Sequence, residues 1–529
     1  MAETPIHLPR GSICNTKNDG SAINDGPDYL RLILNARVYD VATETPLTLA
    51  TKLTAKLQNK ILLKREDMQA NFSFKCRGAY NRMYQLNAQE RAAGVICVSA
   101  GNHAQGVALA AKKLGIKATI VMPAFAPEIK VESVRRLGAE IVLTGNDFDE
   151  AKKECARLAK ERGSTFIPPF DDPYVIAGQG TVGVEILRQL KQDRLDAIFV
   201  CCGGGGLLAG IAVYIKRIRP EVRVIGVNTI DSDSMYQSLN RSEPVEISSA
   251  GLFSDGTSVR LVGNETYRLC KMYVDDMILV STDEICAAIK DTFEDTRSIV
   301  EPAGALGVAG VKKYIQSNPQ IKDGVFVAVL SGANMNFDRL RFVAERARVG
   351  EGRETLLSVV LPERPGSFLE LYSAIHPTPV TECSYRYNDP KTAHFYLALD
   401  VKSPSETEAI IHNIAKKGFE VIDITENELA KAHARFMVGG RSSTVIDERL
   451  YRFRFIERHG ALKRFLETLE GRWNLSLFHY RNLGGDTARV LVGMQVPKAD
   501  MKEFSEFLTK LGYESIDETD NAVYKHFLM

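Results

Sequence analysis

The sequence lacks the features that mark several classes of protein. It has nine cysteines in 529 residues but no C-x-x-C pair, which argues against a zinc ribbon and against a disulfide framework. Only His7 and His103 of the nine histidines lie in the first 370 residues, so we expect no histidine-rich metal site there. The 67 basic and 66 acidic residues leave a net charge of +1, which disfavours a nucleic-acid partner.

Long apolar runs are scarce as well. An uncharged stretch at residues 197–215 is long enough to resemble a membrane span, but four consecutive glycines interrupt it. Because exposed backbone is costly in lipid, we predict a buried strand, a loop and a helix there rather than a membrane span. Residues 1–28 lack the apolar core of a signal peptide and the arginines of a transit peptide, which predicts a cytoplasmic protein.

The length predicts three or four domains, and the pattern of apolar residues indicates where the first fold lies. From about residue 59 to residue 331, short strand-like runs alternate with helical patterns, as in a parallel α/β sheet. The predicted strands are residues 61–63, 95–98, 119–122, 141–143, 198–200, 224–227 and 325–330. Ligands of such sheets bind beyond the carboxyl ends of the strands, so we look for functional residues in those loops.

Beyond about residue 350 the sequence contains an internal repeat. The tetrapeptide E-R-P-G at 363–366 recurs as E-R-H-G at 457–460, and G-F-E at 418–420 recurs as G-Y-E at 512–514, both at an offset of 94. The first copy has strand-like runs at 356–361 and 393–399 and a helical pattern at 366–375. We therefore predict two copies of a small βαββαβ module.

One candidate binding loop is a run of glycines, named here the glycine loop. It consists of Gly203, Gly204, Gly205 and Gly206, followed by Leu207 and a helix predicted at 208–218. Backbone N–H groups in such a loop can surround an anion, and the helix N-terminus adds partial positive charge, so a phosphate is the natural ligand. A flexible turn is an equally good interpretation of the glycines alone. No G-K-[ST] follows, which argues against a nucleoside triphosphate.

A second candidate is Lys75. It lies between the sequence K-R-E-D at 64–67, which we interpret as a charged turn, and a helix predicted at 78–86. In isolation, a solvated surface cation is the simpler interpretation. However, Phe72 and Phe74 flank the lysine, and partial desolvation by these rings would favour the neutral amine that a Schiff base requires.

Two further motifs follow predicted strands. S-A-G-N-H at 99–103 could hold a carboxylate or a phenolic oxygen, although Ser99 or Asn102 could instead cap a helix and His103 could be structural. S-G-A-N at 331–334 ends the last predicted strand. The Ser331 hydroxyl could donate to a ring nitrogen or cap a turn.

Taken together, four motifs resemble those of the serine/threonine dehydratases. They are S-F-K-x-R-G-A at 73–79, S-A-G-N-H-A-Q-G at 99–106, G-G-G-G-L at 203–207 and S-G-A-N at 331–334. That family uses pyridoxal 5′-phosphate (PLP) on the α/β fold of the tryptophan synthase β subunit, called fold type II. The resemblance implies an N-terminal extension at 1–28, a PLP-dependent catalytic region of two α/β subdomains at 29–345, and two α+β ACT-like regulatory domains at 354–430 and 448–527.

The resemblance also implies roles for individual residues. Lys75 would carry PLP as a Schiff base and act as the catalytic base, and residues 203–207 would hold the phosphate. Asn102 would bond the ring oxygen and Ser331 the pyridine nitrogen, while Ser99 and His103 would lie near the substrate carboxylate. Glu301 would lie near the ring, or equally would be a carboxylate at a helix start. No metal site is implied.

The implied activity is that of a threonine ammonia-lyase, which converts L-threonine to 2-oxobutyrate and ammonia as the first step of isoleucine biosynthesis. Isoleucine would inhibit at the C-terminal domains, valine would oppose it, and the assembly would be a homotetramer. Ala100 replaces the serine that related racemases use as an acid on the opposite face, so we expect dehydration rather than racemisation. The alternatives are a catabolic serine and threonine dehydratase, a non-catalytic amino-acid sensor and, for the duplicated modules, an assembly interface.

Overall fold

The computed structural model describes residues 26–521 except 125, 127, 146–147, 192–193, 433, 437–441, 443–444, 457–460 and 482–486, together with residues 524 and 528. Nearly all of the predicted N-terminal extension and the second copy of E-R-x-G at 457–460 lie outside the described residues. The chain divides into two compact units, Met1–Gly350 and Glu351–Met529.

The first unit is an α/β fold whose elements largely alternate along the chain. Its strands are β1 Leu47–Leu49, β2 Lys60–Arg65, β3 Val95–Val98, β4 Ala118–Met122, β5 Glu140–Leu143, β6 Thr165–Phe166, β7 Ala197–Cys201, β8 Arg223–Thr229, β9 Asp276–Val280 and β10 Val325–Leu330. Its helices are α1 Tyr29–Leu34, α2 Thr51–Leu57, α3 Lys75–Tyr84, α4 Ala88–Ala93, α5 Asn102–Leu114, α6 Glu128–Arg135, α7 Phe148–Arg162, α8 Pro173–Gln189, α9 Gly206–Ile218, α10 Ser234–Arg241, α11 Asn264–Tyr273, α12 Thr282–Thr296, α13 Pro302–Ser317 and α14 Arg339–Gly350.

These strands form two sheets. Within the described residues, the larger has the order β1-β2-β10-β7-β8-β9 and is parallel apart from the antiparallel edge strand β1. The smaller has the order β5-β4-β3-β6 and is parallel throughout. Helices cover the larger sheet, and its central strands β7 and β10 are fully buried, as apolar runs without alternation predict.

The seven predicted strands are confirmed, to within a few residues at their ends. The prediction missed β1, β6 and β9. Strands β1 and β6 have only three and two residues, too few to show a period, and β9 is a partly exposed edge strand. The predicted parallel α/β architecture is confirmed.

Two local predictions in this unit were wrong. The charged sequence K-R-E-D at 64–67 is a turn only in its second half, because Lys64 and Arg65 end the buried strand β2 and a 3-10 turn begins at Glu66. The helix expected at 78–86 begins earlier, with Lys75 as the first residue of α3. The reason for both differences is a set of ion pairs that the local sequence does not reveal.

That set of ion pairs is named here the buried charge network, and it consists of Lys64, Glu66, Arg77 and Glu185. All four side chains are fully buried. Lys64 Nζ lies 2.6 Å from Glu185 Oε2, while Arg77 donates to Glu66 Oε2 at 2.8 Å and to Glu185 Oε1 at 2.6 Å. Burial alone would raise the pKa of Glu66, but the Arg77 guanidinium lowers it below its usual value. The network therefore holds α3 against β2 and α8 through ionised partners.

The second unit contains the sequence repeat. Its elements are β11 Glu354–Pro362, α15 Ser367–Ile375, β12 Val380–Arg386, β13 Thr392–Asp400, α16 Pro404–Lys416, β14 Glu420–Asp423, α17 Glu428–Ala432, β15 Glu448–Ile456, α18 Ala461–Leu469, β16 Asn474–Arg481, β17 Thr487–Gln495, α19 Met501–Leu511 and β18 Glu514–Asp517. The predicted order βαββαβ is confirmed in both copies. Gly418 and Gly512, which repeat in the sequence, both adopt positive φ just before the last strand of their copy.

The two copies of the module form one antiparallel sheet, in the order β14-β11-β13-β12-β16-β17-β15-β18 among the described residues. Its centre is the pairing of β12 with β16, where Ser384 lies opposite His479 and Tyr385 opposite Phe478. One apolar core contains residues from both copies, including Phe368, Phe395 and Phe478. The copies therefore fold as a single unit.

No helix in the part of the chain that the structure describes is long and apolar enough to cross a membrane. The uncharged residues 197–215 instead supply β7, the glycine loop and most of α9, as predicted from the glycines.

The buried charge network predicts a large effect of Glu185→Ala on stability. Removing this carboxylate deprives Lys64 of its ion-pair partner and Arg77 of one of its two partners. We therefore expect the free energy of unfolding to fall by about 3–5 kcal/mol. Urea denaturation followed by circular dichroism measures the change. The matched control is Glu161→Ala, which removes an exposed partner of Arg157 and should cost less than about 1 kcal/mol. Equal effects of the two substitutions would contradict the assignment.

Candidate active site

The predicted functional loops meet at the carboxyl ends of the strands. The segment before α3 pairs with the segment after β10, where Phe74 N donates to Ser331 O at 3.2 Å and Ala333 N donates to Phe72 O at 2.9 Å. An isolated bridge joins Ser73 to Gly332. This pairing brings the first residue of α3 beside the S-G-A-N motif.

Lys75 is half-buried, and an aromatic ring lies close to its ammonium group. Its ammonium donates to the carbonyl oxygen of Pro169 at 2.8 Å and lies 5.3 Å from the centre of the Phe74 ring. Burial lowers the pKa of Lys75 to about 8. Of the two flanking aromatic residues only Phe74 is buried, whereas Phe72 is 56% exposed. The solvated-cation interpretation is therefore wrong, and the desolvation comes from one ring and the surrounding fold.

The glycine loop lies between β7 and α9 and is closely surrounded. A Cβ atom on Gly203 would come within 2.9 Å of Thr257 Cα, and one on Gly204 would overlap the Phe170 ring at 2.2 Å. Gly205 has a φ of +96°, which disfavours any side chain. In the described part of the chain, the N–H groups of residues 203–207 have no hydrogen-bond acceptor. The loop thus presents several free donors at the N-terminus of α9, as an anion site requires.

Asn102 and Ser99 do not cap a helix. The N-cap residue of α5 is Gly101, and Asn102 is the first residue of the helix. The Ser99 hydroxyl accepts from Gly101 N at 3.2 Å. The Asn102 amide instead donates to Glu301 Oε1 at 2.6 Å and accepts from Asn334 at 2.6 Å. The helix-cap alternative for both residues is therefore wrong.

His103 is buried close to Lys75. Its Nε2 forms a hydrogen bond with the carbonyl oxygen of Ile167 at 2.9 Å. Because a carbonyl only accepts, Nε2 carries the proton. Burial and the neighbouring Lys75 lower the pKa of His103 to about 3, so the ring is neutral. Its proposed place near the substrate carboxylate stays a prediction.

Ser331 and Glu301 complete the group. The Ser331 hydroxyl donates to Ala303 O at 3.2 Å, within the first turn of α13. Glu301 precedes α13 but does not cap it through its side chain. Instead its buried carboxyl group accepts from Asn102, and burial together with the charge of Asp255 raises the pKa of Glu301 to about 7. Its position beside Lys75 and Asn102 favours the interpretation as a site residue over that of a carboxylate at a helix start.

Sequence reasoning missed three neighbours of these residues. Phe170 and Thr257 pack on the glycine loop and come from other loops, so no local pattern marks them. Asn334 lies inside a motif that was recognised, but its bond to Asn102 is visible only in the fold.

This arrangement fits PLP on four counts. An amine with a lowered pKa is available at Lys75, and free N–H groups in a cradle without side chains suit the phosphate. Asn102 keeps one N–H without an acceptor among the described residues, which suits the ring oxygen. The Ser331 hydroxyl, which donates to Ala303 O in this structure, would have to rotate to donate to the ring nitrogen. These residues would hold the cofactor.

The lowered pKa of Lys75 predicts how apoenzyme reacts with added PLP. Only the neutral amine is nucleophilic, so the rate should rise about tenfold per pH unit up to pH 8 and level off above it. Stopped-flow absorbance in the visible range measures the rate. A rate that still rises tenfold between pH 9 and 10 would indicate an ordinary lysine, with a pKa of about 10.4.

Comparisons with known proteins agree with this geometry. A family model described as "Pyridoxal-phosphate dependent enzyme" matches residues 38–332. A second, described as "C-terminal regulatory domain of Threonine dehydratase", matches residues 345–434 and 439–528. The regulatory domain is thus present in two copies that correspond to the two βαββαβ modules.

Curated relatives match nearly the whole chain. The mitochondrial threonine dehydratase of Saccharomyces cerevisiae is 53% identical over 97% of this chain and 91% of its own. The biosynthetic L-threonine dehydratase IlvA of Burkholderia multivorans is 53% identical over 95% of this chain and 99% of its own.

Solved structures match the first unit. The processed form of threonine deaminase isoform 2 from Solanum lycopersicum is 46% identical, with a TM-score of 0.60 over 64% of this chain and 98% of its own. Maize serine racemase is 32% identical, with a TM-score of 0.56 over 60% of this chain and 95% of its own. The chain therefore belongs to the threonine dehydratase family of PLP-dependent enzymes and carries that family's duplicated C-terminal regulatory domain.

Proposed function

We propose that this protein is a biosynthetic threonine ammonia-lyase, which converts L-threonine to 2-oxobutyrate and ammonia in the first step of isoleucine synthesis. The observation that carries the proposal is the Lys75 amine, with a pKa of about 8, in one site with the free N–H groups of the glycine loop. Relatives named threonine dehydratase at about half identity over nearly the full length support it.

When bound, PLP supplies the electron-withdrawing group that weakens the bonds at the substrate Cα. The chain's residues position the reactants and move the protons. Residues 203–207 hold the phosphate through their backbone N–H groups. Lys75, whose pKa is lowered to about 8, is the base for the Cα proton. Ser331 offers the ring nitrogen a neutral hydroxyl rather than a carboxylate, which favours prompt loss of the β-hydroxyl over transamination.

Racemisation is the main chemical alternative, because maize serine racemase shares the fold of the first unit. Ala100 lies in the loop between β3 and α5, where it offers no hydroxyl to return a proton to the opposite face of the substrate. We therefore assign dehydration to this site. A non-catalytic sensor would not need an amine with a lowered pKa at Lys75.

The second unit supplies a candidate site for the effector. A cavity lies between its two modules, lined by the loop and first turn of α15, by β12, β13, α18 and the start of β16. Glu363 lies at one side, where it accepts from Tyr385 and from Asn474 Nδ2, the latter at 2.9 Å. Ser367 also lines the cavity, and its buried hydroxyl has no hydrogen-bond partner in the described part of the chain.

This lining suits a branched-chain amino acid. Glu363 can accept from an ammonium group, and the N-terminus of α15 with Ser367 can bind a carboxylate. The apolar lining includes Leu466, Leu469 and Leu475. We assign isoleucine as the inhibitor. Valine, a branched-chain amino acid of similar size, would oppose this inhibition. A homotetramer and a cytoplasmic location complete the proposal, although two fungal relatives are named as mitochondrial.

Absorbance and turnover test the catalytic assignment together. The holoenzyme should show a visible band that shifts on addition of L-threonine. Lys75→Ala should abolish this band and lower the turnover rate at least about 10³-fold. Release of 2-oxobutyrate should exceed formation of D-threonine by orders of magnitude.

Protein that stays colourless with added PLP would leave the sensor alternative, and racemisation at a rate comparable to dehydration would overturn the role of Ala100. Faster turnover of L-serine than of L-threonine would favour the catabolic alternative.

Removal of the second unit tests the regulatory assignment. Deletion of residues 351–529 should leave threonine turnover in place but abolish inhibition by isoleucine. In the full-length chain, Glu363→Gln and Ser367→Ala should each raise the isoleucine concentration for half inhibition about tenfold. The first removes the negative charge that pairs with the ligand ammonium group, and the second removes a hydroxyl donor to the ligand carboxylate. Thr509→Ala, on the exposed face of α19, is the control. Inhibition that survives the deletion would contradict the proposal.

A further inference from the structure

The orientation of the Asn102 side chain is set by a chain of hydrogen bonds that begins at a backbone carbonyl. Asn334 Nδ2 donates to Asn71 O at 2.9 Å and to Asn102 Oδ1 at 2.6 Å. The two donors of the Asn334 amide are thereby both used. Because a carbonyl oxygen cannot donate, Asn334 cannot be turned around without placing its own oxygen against Asn71 O.

The fixed orientation of Asn334 determines that of Asn102. Asn102 must present its oxygen to Asn334 and hence its nitrogen to Glu301, whose Oε1 accepts at 2.6 Å. The backbone of Glu301 is fixed in the same loop, because its N–H donates to Gly332 O at 3.2 Å. The amide of Asn102 is thus held at both ends.

One donor of Asn102 remains. Its nitrogen carries two hydrogens, one of which points to Glu301, and the other has no acceptor within the described residues. This N–H is therefore available to a ligand that supplies an acceptor. The cradle of loops around Lys75 is where such an acceptor would enter.

We propose that Asn334 and Glu301 are positioning residues that lock the Asn102 amide so that its free N–H, and not its oxygen, faces the ring oxygen of the cofactor. The inference rests on the proposed assignment of Asn102 to PLP. Neither Asn334 nor Glu301 needs to touch the cofactor for this role. Their effect passes through the orientation of one amide group.

The test is a double-mutant cycle on the holoenzyme, with Asn334→Ala, Asn102→Ala and the double variant. The first readout is the dissociation constant of PLP, obtained by absorbance titration of apoenzyme. The second is the pH midpoint of the visible band. Each single substitution should weaken PLP binding about tenfold, as expected for one hydrogen bond to a charged oxygen. Each should also raise the pH midpoint by about one unit, because the ring oxygen loses a donor and holds its shared proton more tightly.

The double variant decides between positioning and a merely structural role. If Asn334 acts through Asn102, the double variant should bind PLP as Asn102→Ala does, with no further loss. Effects that add would overturn the proposal. If Asn102→Ala leaves the spectrum and the affinity unchanged, the assignment of Asn102 to the cofactor is wrong and the inference falls with it, although turnover and the role of Lys75 would stand.

Three further substitutions keep the test decisive if Asn334→Ala folds poorly. Asn334→Asp keeps the shape but presents an acceptor, which would turn the Asn102 amide around, so it should weaken PLP binding more than Asn334→Ala does. Glu301→Gln retains an acceptor for Asn102 and should bind PLP more tightly than Glu301→Leu; the reverse order would overturn the proposal. Asn336→Ala is the control in the same loop, where the side chain accepts from Asp338 N.

Discussion

The buried charge network is the constraint on which the position of the Lys75 amine depends. Arg77 and Lys75 are separated by one residue at the start of α3, and Arg77 is bound on two sides by Glu66 and Glu185. Isolated charges in this interior would each cost several kcal/mol, so the helix is stable there only when all the partners are in place. The same bonds therefore fix both the rotation of α3 about its axis and the position of Lys75 at its start.

The large-scale fold could be predicted because its signals are periodic. Buried parallel strands appear as uninterrupted apolar runs, and the duplicated module appears as a constant offset with glycines at matching positions. The network could not be predicted, because K-R-E-D at 64–67 has the composition of a solvated turn. Its partner Glu185 lies 121 residues from Lys64, and pairing over that distance is a property of the fold alone.

The candidate site shows the same division. The motifs and the ends of predicted strands located the segments that contain Lys75, Asn102 and Ser331, and they located the glycine loop. What each side chain does there depends on neighbours from distant segments. Asn102 could have been a helix cap until the bonds to Glu301 and Asn334 showed that α5 does not use it. Sequence thus identifies the groups, whereas orientation and protonation require the assembled loops.

Buried polar groups in folded proteins are nearly always hydrogen-bonded, so the exceptions are informative. The members of the buried charge network all have partners, which fits a structural role. By contrast, the described part of the chain leaves donors without acceptors at the glycine loop, at Asn102 and at Ser367. The first two face one site in the catalytic unit, and the third lines a cavity in the regulatory unit. These donors are the groups on which the two proposed sites depend, because an anionic ligand group could satisfy them.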